Sequence, residues 1–419
     1  MISRLAPTKE ENSWILYDAA NSAFVLVMVT AILPIYFKEV ISAGVPDAVS
    51  TSNWAFGNSI ASFMLALLAP VLGTMADYRG YKKPFFLSFL TAGLLFTVAL
   101  VFPVPGQWRL CLALYIFARV GWSGANLFYD AFLVDVTTRQ RMDRISARGF
   151  AVGYIGSVIP FAIIVALILN AGIENGLPPA TTRLGFVIVA AWWLCFSIPA
   201  AAHLRQNYYI PPSPRPFAES FKRLAATFAN IREHRQVFMF LAAYFFYIDG
   251  VGTIISMATA YGHDLGFKAG LLITVILFIQ IVAFPFTLLY GRLAAQFGAR
   301  TMIMLGISVY ILVTLMSFSL PFIGSYGLRL ALFWIIALLV ASSMGGIQAL
   351  SRSYFGKLIP PENSAEFFGF YNVCGRFAAI AGPLLLGVVG RMAGDTRWGI
   401  LAVVVLFIIG AWLLKRVDS

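Results

Sequence analysis

The sequence predicts an all-α polytopic membrane protein, with twelve transmembrane helices in two parallel-repeat six-helix bundles. Three observations carry this. Apolar residues make up 60% of the chain and charged residues only 11%, against roughly 25% charged in a soluble domain. Apolar runs of about 20 residues, the length that crosses a bilayer core, recur from end to end. The two halves also repeat each other in order and direction.

The runs place helices at 13–37, 54–76, 84–103, 108–134, 149–170, 182–203, 237–260, 269–290, 301–320, 327–350, 364–389 and 397–414. The leader MISRLAPTKEENS is polar, and the run behind it is too long for a signal-peptide core, so the first helix is expected to stay in the protein. With the N-terminus inside, about 21 of the 30 Lys and Arg fall in cytoplasmic segments and about 7 outside. Both termini are therefore expected in the cytoplasm, in a multi-pass protein of a bacterial-type cytoplasmic membrane. The net charge of +12 is read as a topogenic signal rather than a nucleic-acid footprint. Cys111, Cys195 and Cys374 lie in apolar runs without paired spacing, so neither a disulfide framework nor a metal site is expected.

The chain divides into an N-terminal six-helix bundle (1–203), a cytoplasmic linker (204–236) and a C-terminal six-helix bundle (237–419). The linker opens with the proline-rich NYYIPPSPRP, an extended tether. Phe217, Phe221, Leu224, Phe228 and Ile231 then recur at three- and four-residue intervals, the pattern of an amphipathic helix lying on the membrane surface. Between the halves, GTMADYRGYKKP matches GRLAAQFGART, pairing Gly73 with Gly291, Gly80 with Gly298 and Lys82 with Arg300. RGFAVGYIG likewise parallels FGFYNVCGR, and Asp18 has an approximate counterpart in Asp249. Equal order and orientation indicate a parallel duplication about an axis along the membrane normal.

The G-x-x-x-D-x-x-G-x-[KR]-[KR] pattern of Gly73, Asp77, Gly80, Lys82 and Lys83 resembles the loop signature of the major facilitator superfamily, and it lies between the second and third helices. The second copy carries Ala295 in place of the acid. YDAANSAF, SARGFAVGYIG, YFFYIDGVGTII and GGIQALSRSYFGKLIPPENSAEFFGFYNVCGR resemble the vacuolar amino-acid effluxer-like branch of that superfamily, the autophagy-related effluxers. The resemblance implies the major facilitator fold and a secondary transporter, with amino-acid efflux suggested for the vacuolar members.

Polar groups within the spans name the candidate site. A charge at mid-membrane costs about 2.5–3.5 kcal/mol on insertion scales, so such residues face a cavity or a partner. Arg119, Asp249 and Arg376 each lie about eleven or twelve residues into a helix, near the midplane. Asn126, Thr253, Gln348 and Asn372 occupy similar depths, and Asp18 and Asn21 form a polar stripe nearer the inner surface. Asp249 either takes part in substrate or proton chemistry or is fixed in an ion pair with Arg119 or Arg376. The two arginines suit an anionic substrate group, which a guanidinium holds in a two-pronged way, or else serve structural pairing. Asp77 can accept bonds from a neighbouring helix N-terminus or an arginine and so hold the inner face shut. Gly80 permits the tight turn, and Lys82 and Lys83 hold the loop at the anionic leaflet.

The function expected is secondary active transport of a small polar or amphipathic solute, an amino acid or related organic acid, by alternating access. A proton gradient is the expected energy source, with no bound cofactor. A lysolipid or lipid-type substrate, or uncoupled facilitation, is the alternative on the same fold. An embedded enzyme finds no support, because His203, His234 and His263 are scattered and form no catalytic motif. A monomer with a small-molecule substrate and lipid as partners, and no nucleic acid, is expected.

Overall fold

The structure is a computed structural model that describes residues 6–172, 176–230, 232–394 and 396–417. Among the described residues, twelve helices are long and apolar enough to cross a membrane, and every expected run falls on one of them. They are α1 (Lys9–Ile41), α2 (Asp47–Ala76), α3 (Lys82–Ala99), α4 (Trp108–Val136), α5 (Met142–Ala171) and α6 (Pro179–His203). After the linker come α7 (Arg235–Asp264), α8 (Ala269–Phe297), α9 (Ala299–Ser319), α10 (Tyr326–Leu358), α11 (Ser364–Ala393) and α12 (Thr396–Lys415). The chain is thus an integral, multi-pass membrane protein.

Local chemistry sets the ends. The α1 N-terminus has a reciprocal capping box, in which Thr8 Oγ1 accepts from Glu11 N at 3.2 Å and Glu11 Oε2 accepts from Thr8 N at 2.9 Å. Further along, α1 runs through two π-helical stretches, Val25–Ala31 and Phe37–Ile41, around Pro34. The α2–α3 and α8–α9 connections each turn on a glycine in the left-handed region, Gly80 at φ +84° and Gly298 at φ +83°. The two paired glycines of the repeat therefore do the same backbone task. Helices α5 and α10 overrun their apolar stretches by about two turns, because charged turns such as Met142–Arg148 and Ser351–Leu358 stay helical where their side chains find partners.

Packing sorts the chain into two compact units. The first holds residues 1–137, 152–224 and 360–369; the second holds 138–151, 225–359 and 370–419. A cut at the linker would separate the halves of the sequence, but two short segments pack with the opposite half: the start of α5 and the segment that leads into α11. In the first unit, α3 and α4 cross backbone to backbone, where a Cβ on Gly121 would stand 2.4 Å from Gly93 N. Trp14 stacks on Tyr129 at 4.5 Å and donates Nε1–H to the Tyr129 carbonyl at 2.8 Å, fixing α1 on α4. In the second unit, α7 lies against α12 and α8 against α10, with Tyr290 Oη and Ser343 Oγ hydrogen-bonded at 2.9 Å.

The linker helix runs Pro216–Ala229, with Phe217 and Phe221 exposed and their rings edge to face at 5.0 Å. It ends short of the expected span; Ile231 lies outside the described residues, as does the side chain of Phe228.

Candidate functional site

Two groups of polar side chains are built by these helices, one at the helix ends and one within the spans. At the helix ends of the first unit, Asp77 follows α2 and is wholly buried. Its Oδ1 accepts from Ala365 N at 2.8 Å and its Oδ2 from Glu366 N at 3.0 Å. These are first-turn amides of α11, which have no partner inside their own helix, and the positive end of the helix dipole favours the carboxylate. Burial, the largest influence on the Asp77 carboxyl, pushes it up to about 7, while Lys82 and the two N–H groups pull the other way. The approach needs Gly73, since a Cβ there would stand 2.4 Å from the Ala365 carbonyl oxygen.

Lys82 is also wholly buried and donates to Asp135 Oδ2 and Ser364 Oγ, each at 2.8 Å. Asp135 Oδ1 accepts in addition from Asn207 N at 2.8 Å and Tyr208 N at 2.9 Å, so its charge is held on three sides. Gly80 N–H is capped by Gln206 Oε1 at 2.9 Å, and Lys83 Nζ reaches the Ala202 carbonyl at 3.5 Å. Arg223 of the linker helix donates to the Thr74 carbonyl, Asn363 Oδ1 and Glu366 Oε2 at 3.2, 3.3 and 3.2 Å. The lysine expected to face the leaflet is thus an internal cation, and Lys83 is the more exposed of the pair.

The second unit repeats the glycine contact. A Cβ on Gly291 would stand 2.4 Å from the Ala147 Cβ at the start of α5. Ala295 brings no carboxylate here; the acid is Asp143 on α5, whose Oδ1 accepts from Ser353 Oγ at 2.7 Å and whose Oδ2 pairs with Lys357. Arg352 donates to Ser146 Oγ at 3.0 Å and the Ser146 carbonyl at 3.2 Å, and lies 4.3 Å over the Phe150 ring. Sequence reasoning missed Asp143, Arg352, Arg223 and Ser364. The overlooked signal was polar residues in charged helical turns just beyond the apolar runs.

Within the spans of the first unit, Asn21 Nδ2 lies 3.4 Å from Asp18 Oδ1, and Asn126 Nδ2 lies 3.4 Å from Asn21 Oδ1. Asn126 Oδ1 is buried with no hydrogen-bond partner. Two turns before Asn126 on the same side of α4 stands Arg119, whose Nη1 donates to Tyr115 Oη at 2.9 Å; Tyr115 Oη in turn donates to Asn58 Oδ1 at 2.7 Å. Trp54 stacks on Tyr115 at 4.3 Å. Arg119 Nε is buried with no partner, and no acidic side chain pairs with this guanidinium among the described residues.

In the second unit, Asp249 Oδ1 accepts from Gly382 N at 2.8 Å, and Asp249 makes no ion pair among the described residues. Thr253 stands one helical turn further on, buried like Asp249. Gln348 Nε2 donates to the Met344 carbonyl of its own helix at 3.1 Å. Asn372 and Arg376 lie one turn apart along α11.

Residues 6–419 match the model of the family described as vacuole effluxer Atg22 like. The chain belongs to that family. A relative from Bacillus subtilis (strain 168), described as the uncharacterized MFS-type transporter YxiO, is 48% identical over 98% of this chain and 95% of its own length. Autophagy-related protein 22 of Coccidioides immitis (strain RS) is 25% identical over 88% of this chain and 73% of its own. Among solved structures, the human organic anion transporter MFSD10 superposes with a TM-score of 0.69 at 15% identity, covering 97% of this chain and 99% of that one. The proton:xylose symporter XylE superposes with a TM-score of 0.71 at 11% identity, covering 98% and 94%. These likenesses establish the major facilitator fold for this Atg22-like chain, and with the family a membrane transporter rather than an enzyme.

Proposed function

We propose that the protein is a secondary active transporter that moves an amino acid or related organic acid, in the efflux direction, by alternating access. The observation that carries the reading is Arg119: a half-buried guanidinium within a membrane span, with a buried, unpartnered Nε and no acidic counterpart among the described residues. Such a charge is costly in the bilayer, and a planar fork of donors fits a carboxylate. Tyr115 and Asn58 hold the fork in place. Asp249 is the carboxylate to which proton coupling is assigned, since it is buried, mid-span and not committed to an arginine. The contacts of Asp77 with the start of α11 serve as the cytoplasmic latch of the carrier, with both termini on that side of a bacterial cytoplasmic membrane and the monomer as the working unit.

The test is uptake by proteoliposomes after a thermal-shift screen of amino acids, organic acids and lysolipids. Arg119→Gln is expected to weaken the responding carboxylate by about 10- to 100-fold, the worth of a hydrogen bond to a charged group. Stabilisation by lysolipids alone would overturn the substrate class. Transport by Asp249→Asn with an unchanged pH dependence would remove the proton from that residue.

A further inference from the structure

The middle of α7 faces α11 with more oxygen than a single proton needs. Asp249 and Thr253 are both fully buried, and Asp249 Oδ2 and Thr253 Oγ1 have no hydrogen-bond partner. Opposite them is bare backbone. Gly382 N–H holds Asp249 Oδ1, and a Cβ on Gly382 would stand 1.9 Å from Thr253 Oγ1 and 2.7 Å from Asp249 Oδ1, which puts these two oxygens no more than about 4.6 Å apart. A hard cation sits about 2.4 Å from each oxygen ligand, so one ion reaches both. A carboxylate and a hydroxyl are oxygen ligands of the kind a hard cation takes.

Charge selects the valence. Asp249 is the one carboxylate in the middle of α7, and α10, α11 and α12 bring none at mid-span; the charged side chain of α11 nearest Gly382 in sequence is Arg376, six residues earlier. A monovalent ion neutralises the site, whereas a divalent ion would leave net positive charge in a dry, low-dielectric interior. We propose that Asp249 and Thr253, packed against the backbone of Gly382, form a binding site for an alkali cation of the Na⁺ class, at which Na⁺ and the proton compete. The inference rests on the reading of Asp249 as the coupling carboxylate and adds a second ion to it.

The experiment is thermal unfolding of the purified full chain in NaCl or LiCl against choline chloride of equal ionic strength, at pH 8 and pH 5.5. Na⁺ is expected to raise the midpoint by about 2 °C or more at pH 8, since a ligand of the native state stabilises it, and by less at pH 5.5. Thr253→Val, which keeps shape and removes the oxygen, and Asp249→Asn are each expected to abolish the Na⁺ response. Binding of radioactive Na⁺ to Thr253→Val should fall at least about 10-fold, in line with a lost hard-oxygen ligand. Equal midpoints in NaCl and choline chloride at pH 8, or a Na⁺ response that survives both substitutions, would overturn the site. Stabilisation by low pH alone, lost in Asp249→Asn, would overturn it too while leaving the proton assignment standing.

Discussion

Replacing Lys82 with methionine is expected to lower the stability of the first unit more than any other single change at the helix ends. The ammonium group is completely buried, 2.8 Å from Asp135 Oδ2 and 2.8 Å from Ser364 Oγ. Methionine keeps the length of the side chain and its contact with the Phe132 ring, 5.6 Å from the ammonium, so the change isolates the charge. Breaking a buried pair from one side costs about 3–5 kcal/mol, because the remaining ion is left without compensation in a medium that cannot solvate it. Asp135 keeps two backbone donors, Asn207 N and Tyr208 N, which places the loss near the lower end, about 3 kcal/mol. For a unit of roughly 200 residues this corresponds to a fall in the thermal midpoint of about 6–12 °C. The assay is unfolding of detergent-purified protein followed by intrinsic fluorescence. Lys82→Met/Asp135→Asn removes both charges and keeps an acceptor for the two amides, so it should recover most of the loss. A midpoint for Lys82→Met within 1 °C of wild type, or a double variant no more stable than the single one, would refute the reasoning.

Asp77→Ala frees the amides of Ala365 and Glu366 and should speed their hydrogen exchange by at least about 10-fold, the worth of one charge-assisted bond; exchange mass spectrometry of the peptide covering 360–369 reads this directly. Gly121→Val forces a side chain to within 2.4 Å of the Gly93 backbone, so α3 and α4 cannot keep their crossing, and the folded yield on size exclusion should drop sharply. Thr8→Ala removes one arm of the α1 capping box and should cost about 1 kcal/mol, seen as a midpoint shift of a few degrees without loss of fold.

The architecture was readable because lipid imposes a strong pattern: each of the twelve helices contains an apolar run of spanning length, and the run alone locates it. What the pattern hid were the ends. The turns Met142–Arg148 and Ser351–Leu358 look like loops by hydropathy, yet they are helical because Asp143, Ser146, Arg352, Ser353 and Lys357 satisfy one another. The candidate site divides in the same way. Gly73, Asp77 and Gly80 stood out through a local motif, and Arg119 and Asp249 through their rarity in an apolar run. Their partners did not, since Ala365 and Glu366 lie 288 and 289 residues from Asp77 and lend it only backbone amides, which leave no mark in a sequence. Arg223 was hidden for another reason: in the linker it reads as one of several basic residues on a solvated face.

The π-helical stretches of α1 have a mechanical consequence. Each widened turn carries a residue more than an α-turn of the same height, so shifting that surplus along the helix, or absorbing it, rotates everything beyond it by about 100° while leaving most backbone bonds made. Two such stretches flank Pro34, which already interrupts the ladder of amides. The first helix is thereby divided into segments that can swivel against each other like sections of a jointed rod, with the capped section bearing Trp14, Asp18 and Asn21 held still as the far section turns.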